Sequence, residues 1–544
     1  MIWRRPNAAC KRSMQGRLRA RHSTSESTNT VTRSPKITFS NPKAKAFWVN
    51  GKTIPDVDFD VGDSWSGLIP ISGAKGEKRK LFFWFFPAKH AHNRDDIVFW
   101  TNGGPGCSSL EGFLQENGPF KWPQGTAKPI PNQWSWTNLT SMLWVEQPVG
   151  TGFSQGVPNI SNDDELAAQL AGFFVQFLDI FHELKHKNFY LSGESYAGIY
   201  VPYIANYLYE HPGLVPLNLK GIWITDPSLS WDIVQEYIVA LPIVQKFPHV
   251  FALNSTFMAE LQKRSDACGF TDYSAKYATY PPNGLLPLPT QAFHGLPNAG
   301  NITAECALFD DIFNAALLVN PNFNIYRILD VWPVLWDVLG FPGSFLNTQG
   351  PIYFARKDVQ DAIHAPHISW TECSNNPVYV GAGDTSAPSS LSVLPNVIEK
   401  SERTVILHGG VDFVLIQEGT RIAIQYVRCS SVLFSLFPEV VWLTDCGAGT
   451  ETFRNMTWGG KQGFQHPIVP ESFSINGFGV LGTAHHERIT YVEVDLSGHM
   501  MPQYAPWAAY KTLWYLLGRG ELDSTVIDQS LYPNNFQLFG SWSS

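Results

Sequence analysis

The clearest hydrophobic periodicity in the chain lies in DDELAAQLAGFFVQFLDIFHELKHKN. Leu166, Leu170, Phe173, Phe174, Phe177, Leu178, Phe181 and Leu184 recur at helical spacing, and Asn162 or Asp163 can cap the start. FYLS then reads as a short buried strand, and YAGIYVPYIANYLYEH as a packed helix. The order helix, strand, tight turn, helix is the setting in which an elbow lifts a serine above a sheet. Such an elbow strains the backbone, so its neighbours must be small. Gly193 satisfies this on one side, whereas Ala197 stands where the general pattern places glycine, with Gly198 one residue on. Ser195 is therefore a candidate nucleophile, and its hydroxyl could equally cap the following helix.

Three further strand ends carry candidate chemistry. Ile97–Trp100 leads into Asn102-Gly103-Gly104-Pro105-Gly106. No Lys-Ser/Thr follows these glycines, so they do not form a phosphate-binding P-loop. A glycine loop after a strand can instead present backbone N–H groups to an oxyanion, together with the N–H after the nucleophile, that of Tyr196. The strand Thr404–Leu407 leads to Asp412, and the alternating run ITYVEVDL leads to Ser497-Gly498-His499. An aspartate capping a turn or a structural loop histidine would be unremarkable alone. The chain order Ser, Asp, His at strand ends matches a hydrolase.

Composition narrows the field. The 544 residues are 44% hydrophobic and 16% charged, with 38 prolines and 44 glycines. This is globular, with room for several average domains or one large α/β domain with insertions. A net charge of −8 provides no basic surface for nucleic acid, and no apolar run is long enough to span a membrane. The first 35 residues are rich in Arg and Ser, with Glu26 as the one acidic residue, and lack an apolar core. They resemble an organellar transit peptide more than a secretory signal; a disordered tail or a misassigned start is the expected explanation. Asn138, Asn159, Asn254, Asn301 and Asn455 each begin an N-x-S/T sequon, which points to a secreted glycoprotein.

The blocks TNGGPGCSSLEGFLQENGPF, LWVEQPVGTGFS, GESYAGIYVPYIA, VILHGGVDFVL and SGHMMPQYAP resemble the signatures of the serine carboxypeptidase family, over about residues 36–544. The resemblance implies an α/β-hydrolase: a central, mostly parallel sheet with helices on both faces and an inserted lid. It implies release of C-terminal residues from peptides and proteins through an acyl-enzyme, without a cofactor or metal, in a secreted or vacuolar enzyme. Ser195 then matches the nucleophile, His499 the base and Asp412 its orienter. Gly104 and Tyr196 match the oxyanion donors, and Asn102, Gly103, Glu116 and Glu194 the clamp for the substrate's terminal carboxylate. Met500 matches a residue of the leaving-group pocket. Two clamp carboxyls in one site would retain a proton, so activity on peptides is expected to be best at roughly pH 4–6.

The expected organisation is a leader at 1–35, core at 36–230 and 345–544, and a lid at 231–344. Within the second core part, residues 426–454 interrupt the family pattern between GTRIAIQ and NMTWGG and read as a translated retained intron, against a genuine variable loop. Of the seven cysteines, Cys10 lies in the leader and Cys429 and Cys446 in this insert. Cys107, Cys268, Cys306 and Cys373 remain, with three possible connectivities. Cys107–Cys373, tethering the oxyanion loop, and Cys268–Cys306, within the lid, are the expected pairs. An acyltransferase or esterase on the same scaffold is the alternative, though an ester-only enzyme has no need of Glu116 and Glu194 as a carboxylate clamp; an inactive product of faulty splicing is a further one.

Overall fold

A computed structural model describes residues 37–282, 286–330, 332, 336–340, 351–425, 463–467, 469–475, 478–486 and 489–522. The leader, the segment 426–454 and Asn455 lie outside the described residues, as do Cys10, Cys429 and Cys446.

An 11-stranded sheet organises the chain. Its strands are β1 (Trp48–Val49), β2 (Ser64–Pro70), β3 (Lys80–Phe86), β4 (Asp96–Thr101), β5 (Ser141–Glu146), β6 (Asn188–Glu194), β7 (Asn218–Thr225), β8 (Arg403–Gly409), β9 (Val469–Ile475), β10 (Phe478–His486) and β11 (Thr490–Val494). They lie in the order β1-β2-β3-β5-β4-β6-β7-β8-β11-β10-β9. The block from β5 to β11 is parallel throughout, and both flanks are antiparallel. Of the longer helices, α1 (Asp163–Ile180) and α2 (Ala197–Glu210) cover one face, and α3 (Pro506–Leu516) packs against β7 and β8.

Alternation along β3 shows why the sheet is buried on both sides. Phe83 and Phe85 point into the layer with Phe173, Phe174 and Phe177 of α1, and Phe82, Trp84 and Phe86 into the layer with Trp100, Trp144 and Leu513. The helix α1 begins at Asn162, whose side chain accepts the Glu165 N–H at 2.9 Å, so Asn162 and not Asp163 is its cap. The alternating run ITYVEVDL forms β11, and all of Thr490–Val494 is buried, because β8 and β10 flank it and both faces are covered. The polar members are accommodated individually: Glu493 accepts the Arg421 guanidinium.

Between β7 and β8 the chain leaves the sheet over residues 226–402. Its helical part forms an apolar cluster of its own, with Ile233, Tyr237, Leu261, Phe270, Leu308 and Ile312, which closes onto Val411 and Phe413 beyond β8. Cys268 is bonded to Cys306 inside this part. Cys107 is bonded to Cys373, and backbone hydrogen bonds reinforce the tie: Ser108 N to Glu372 O at 2.7 Å and Ser374 N to Gly106 O at 2.9 Å.

Candidate active site

Every parallel strand from β4 to β11, β5 apart, ends in a residue of one polar cluster. Asn102 follows β4, Glu194 closes β6 and Ser195 follows it, Asp226 follows β7, Asp412 lies beyond β8 and His499 beyond β11. The order in which strands are added across the sheet reverses at β4, since β5 lies on one side of β4 and β6 on the other; open α/β sheets place a crevice at such a switch point.

Ser195 has φ 62°, the left-handed region that costs a non-glycine residue. Three backbone bonds hold it there: its N–H donates to Thr225 O at 3.1 Å, and its carbonyl accepts from Gly198 N and Ser228 N, both at 2.9 Å. The neighbours must be small for stated reasons. A Cβ on Gly193 would lie 2.4 Å from Thr101 O and 2.6 Å from the Ala197 Cβ. A Cβ on Gly198 would lie 2.3 Å from Ser228 O. Ala197 is tolerated because the steric demand falls on Gly193 and Gly198. The glycine loop touches the elbow directly: a Cβ on Gly103 would lie 2.4 Å from Tyr196 N. Gly104 has φ 111°, open in practice to glycine alone.

His499 Nδ1–H donates to Asp412 Oδ2 at 2.7 Å, with both side chains buried. Asp412 Oδ1 accepts from Val414 N at 2.7 Å and Leu415 N at 3.3 Å, which fixes the carboxyl plane. Burial works against the charge on Asp412, but His499 and His408 prevail and hold it below the ordinary carboxylate range. For His499 burial favours the neutral ring; Asp412, with Asp226 and Glu111 further off, outweighs it and raises its proton affinity. The His499 N–H donates to Tyr326 O at 2.8 Å. Met500 is buried beside it, at the start of the turn Met501–Tyr504.

On the other side of the elbow, Glu111, Glu116 and Glu194 bring carboxylate oxygens within 4.8 Å of one another. Asn102 binds two of them through Nδ2, donating to Glu194 Oε1 at 2.9 Å and to Glu111. Its own Oδ1 accepts Trp100 Nε1–H at 2.8 Å, so the amide orientation is determined. Glu116 receives no N–H or hydroxyl donor and faces the other two carboxyls. Burial raises Glu111 to about 7 and lifts Glu116 and Glu194 well above the usual range, with mutual repulsion adding to both. The cluster therefore carries protons at neutral pH. Three ionised carboxylates would suit a hard cation, but protonated ones are poor ligands. Asp226, His408 and Asp412 form a second group with donor atoms within 4.8 Å of one another.

A half-buried serine in a strained elbow, an Asp–His pair and a proton-holding carboxyl cluster favour acyl transfer at a chain end. Comparison with known proteins decides the family. The sequence model described as serine carboxypeptidase matches residues 55–435. A probable serine carboxypeptidase of Arthroderma benhamiae is 45% identical over 88% of this chain and 87% of its own length. The chain belongs to the serine carboxypeptidase family. Serine-type carboxypeptidase F of Aspergillus niger is 40% identical to this carboxypeptidase, over 91% of each chain. In fold it is similar to a prohormone-processing carboxypeptidase from Saccharomyces cerevisiae, with TM-score 0.63 and 21% identity, covering 87% of this chain and 96% of that one. The sheet is thus an α/β-hydrolase sheet, and the protein is a serine-type carboxypeptidase. Among the described residues no helix is long and apolar enough to cross a membrane.

The sequence reading missed Glu111, Asp226 and His408. A signal existed for Glu111, which lies in the same short helical run as Glu116. Asp226 and His408 show no spacing or motif that marks them; only the sheet makes their strands neighbours. Among the sequons, Asn159, Asn254 and Asn301 are exposed, whereas Asn138 is partly buried and donates its Nδ2 to Gln133 O at 3.1 Å.

Proposed function

We propose that this carboxypeptidase cleaves the last peptide bond of peptides and proteins through an acyl-enzyme, with Ser195 as nucleophile, His499 as its base and Asp412 as the group that orients His499. Gly104 and Tyr196 N–H groups receive the oxyanion, and Met500 borders the leaving residue. Asn102, the Gly103 N–H, Glu116 and Glu194 hold the substrate's terminal carboxylate. The observation that carries this reading is the carboxyl cluster on Asn102, directly beside the elbow. A protonated Glu116–Glu194 pair donates to a carboxylate, while an ester-only hydrolase has no use for it.

The sign of the pH dependence follows. These carboxyls have raised proton affinity, so the donor form is full at pH 4–6 and is lost as pH rises, beginning at about 7 where Glu111 titrates. Above that point charges accumulate against the substrate's own. KM for free-acid peptides is expected to climb by up to about tenfold per pH unit. C-terminally amidated peptides lack the third charge and will decline less. Replacing both Glu116 and Glu194 by Gln will erase the difference. Identical pH profiles for free-acid and amidated peptides in the unaltered enzyme count against the clamp.

The two disulfides support an oxidising compartment, secreted or vacuolar. The helical part of 231–344 acts as a lid over the substrate pocket, and 426–454 is a translated intron outside the family pattern. Deleting 426–454 is expected to raise soluble yield and retain peptidase activity. An unchanged yield, or loss of activity in the shortened chain, marks the segment as a working part of the enzyme.

A further inference from the structure

One segment outside the catalytic loops reaches both halves of the oxyanion hole. The two donors come from different strand ends, Gly104 beyond β4 and Tyr196 beyond β6, so their separation depends on how two loops are held. Residues 372–386 tie to the first loop through Cys107–Cys373, with Ser108 N donating to Glu372 O at 2.7 Å and Ser374 N to Gly106 O at 2.9 Å. They tie to the second through a side chain: Asp384 Oδ2 accepts the Tyr196 hydroxyl at 2.5 Å. Asp384 Oδ1 accepts from Ser386 N at 2.9 Å and from the Ser386 hydroxyl at 2.7 Å, which orients the carboxyl group. The segment is itself anchored to the chain at the start of α1. Val380 N donates to Ile160 O at 2.8 Å, Thr385 N to Ser161 O at 2.9 Å and Asp163 N to Ser386 Oγ at 2.7 Å. The Tyr379 hydroxyl donates to Asp163 Oδ1 at 2.7 Å.

We propose that Asp384 is a positioning residue for the oxyanion hole: it holds the Tyr196 phenol, and through it the N–H that follows the nucleophile, against the Gly104 loop anchored by the same segment. This deepens the acyl-enzyme reading above and rests on Gly104 and Tyr196 being the oxyanion donors.

The backbone at Tyr196 gives such a tie something to do. The Ser195–Tyr196 peptide turns with Ser195 ψ and Tyr196 φ, and fixing the Tyr196 side chain restrains the second of these. Tyr196 stands between the strained Ser195, at φ 62°, and the first residue of α2. Its ring packs edge-on against the buried Tyr200, with 5.1 Å between centroids, so the hydroxyl has a defined reach. The approach of the two loops is close, since a Cβ on Gly103 would lie 2.4 Å from Tyr196 N. An oxyanion donor works within a narrow range, about 2.7–3.1 Å from the oxygen, so a small shift of Tyr196 weakens it. Asp163 is fully buried and faces Asp384; burial, with that neighbour, raises its proton affinity, so the two share a proton and do not oppose two charges.

The test is a double-variant cycle read in kcat and KM on a free-acid peptide. Tyr196→Phe keeps the ring and the N–H and removes the hydroxyl; Asp384→Ala removes the acceptor. Each is expected to lower kcat by about tenfold with KM within about twofold, a fraction of the roughly 10²- to 10³-fold that loss of a whole oxyanion donor costs. The double variant is expected to lose no more than either single one, because both break the same bond. Inhibition by a peptide aldehyde gives a second reading. Ser195 Oγ adds to its carbonyl carbon and the carbonyl oxygen enters the hole, so Ki is expected to rise in step with the fall in kcat. An unchanged kcat in folded Tyr196→Phe overturns the inference. So does a double variant slowed about 100-fold, in which the two groups act independently, and so does an aldehyde Ki that stays constant while kcat falls. If Asp384→Ala does not fold, Tyr196→Phe with its two readings decides alone. Fluorophosphonate labelling of the unaltered enzyme separates the two levels. No label at Ser195 overturns the acyl-enzyme reading, whereas a label there with unchanged variants overturns only the role of Asp384.

Discussion

Ser195→Ala will abolish turnover, with kcat falling by about 10⁴- to 10⁶-fold while KM stays near that of the unaltered enzyme. The size follows from the loss of the covalent route. Water must then attack the peptide without an acyl-enzyme. Fold stability should hold or rise, because Ser195 sits at φ 62° through backbone bonds that alanine retains. The variant therefore separates chemistry from folding. A fluorophosphonate will label the unaltered enzyme at Ser195 and leave Ser195→Ala unlabelled. Labelling that persists in the variant places the nucleophile elsewhere.

The second large effect is expected at Gly498, the residue before His499. A Cβ on Gly498 would lie 2.2 Å from Tyr326 O and 2.6 Å from the Arg327 Cβ. Both belong to a short segment that returns from the helical insertion. That segment joins the two loops carrying Asp412 and His499. His499 N–H donates to Tyr326 O at 2.8 Å and Arg327 Nε to Leu496 O at 3.1 Å. Ile328 N donates to Val411 O at 3.1 Å, and Phe413 N to Ile325 O at 3.0 Å. The nearest atom, Tyr326 O, belongs to the backbone, so no side-chain rotation alone relieves the clash. Gly498→Ala must displace the His499 loop from the segment, by about 1 Å. Misplacement on that scale costs about 10²-fold in rate. The measurement is kcat, with the rate of Ser195 phosphonylation as a second reading, in a variant whose circular dichroism is native. A kcat within about twofold of the unaltered enzyme shows that the loop accommodates the methyl group and that the segment does not hold the pair in place.

Much of this protein was legible from local pattern. Leu166 to Leu178 mark α1 because one helical face must be apolar to pack on a sheet, while Phe181 and Leu184 fall beyond its end at Ile180. Gly193, Gly198 and the glycines at 103–106 mark tight backbone approach, since no other residue fits there. The order of Ser195, Asp412 and His499 at strand ends was readable because strand, turn and helix are written in consecutive residues.

What local pattern left open was burial on both faces. Thr490 and Glu493 lie on opposite faces of an alternating strand, and the pattern alone does not say that both faces are covered. In the sheet they are interior, and Arg421 from another helix makes Glu493 acceptable there.

The sequence by itself determined the elbow at Ser195 and placed Asn102, Asp412 and His499 after their strands, because strand and turn are written in consecutive residues; the parallel α/β core followed from the family resemblance of its motifs. Only the tertiary structure decided which carboxyls share protons and which histidine faces which acid. Glu194 meets Glu111 through Asn102, with Glu116 beside both, and His408 meets Asp226, because strands far apart in sequence lie side by side. Proton affinity depends on distance and burial, and neither quantity is carried by any stretch of residues read alone.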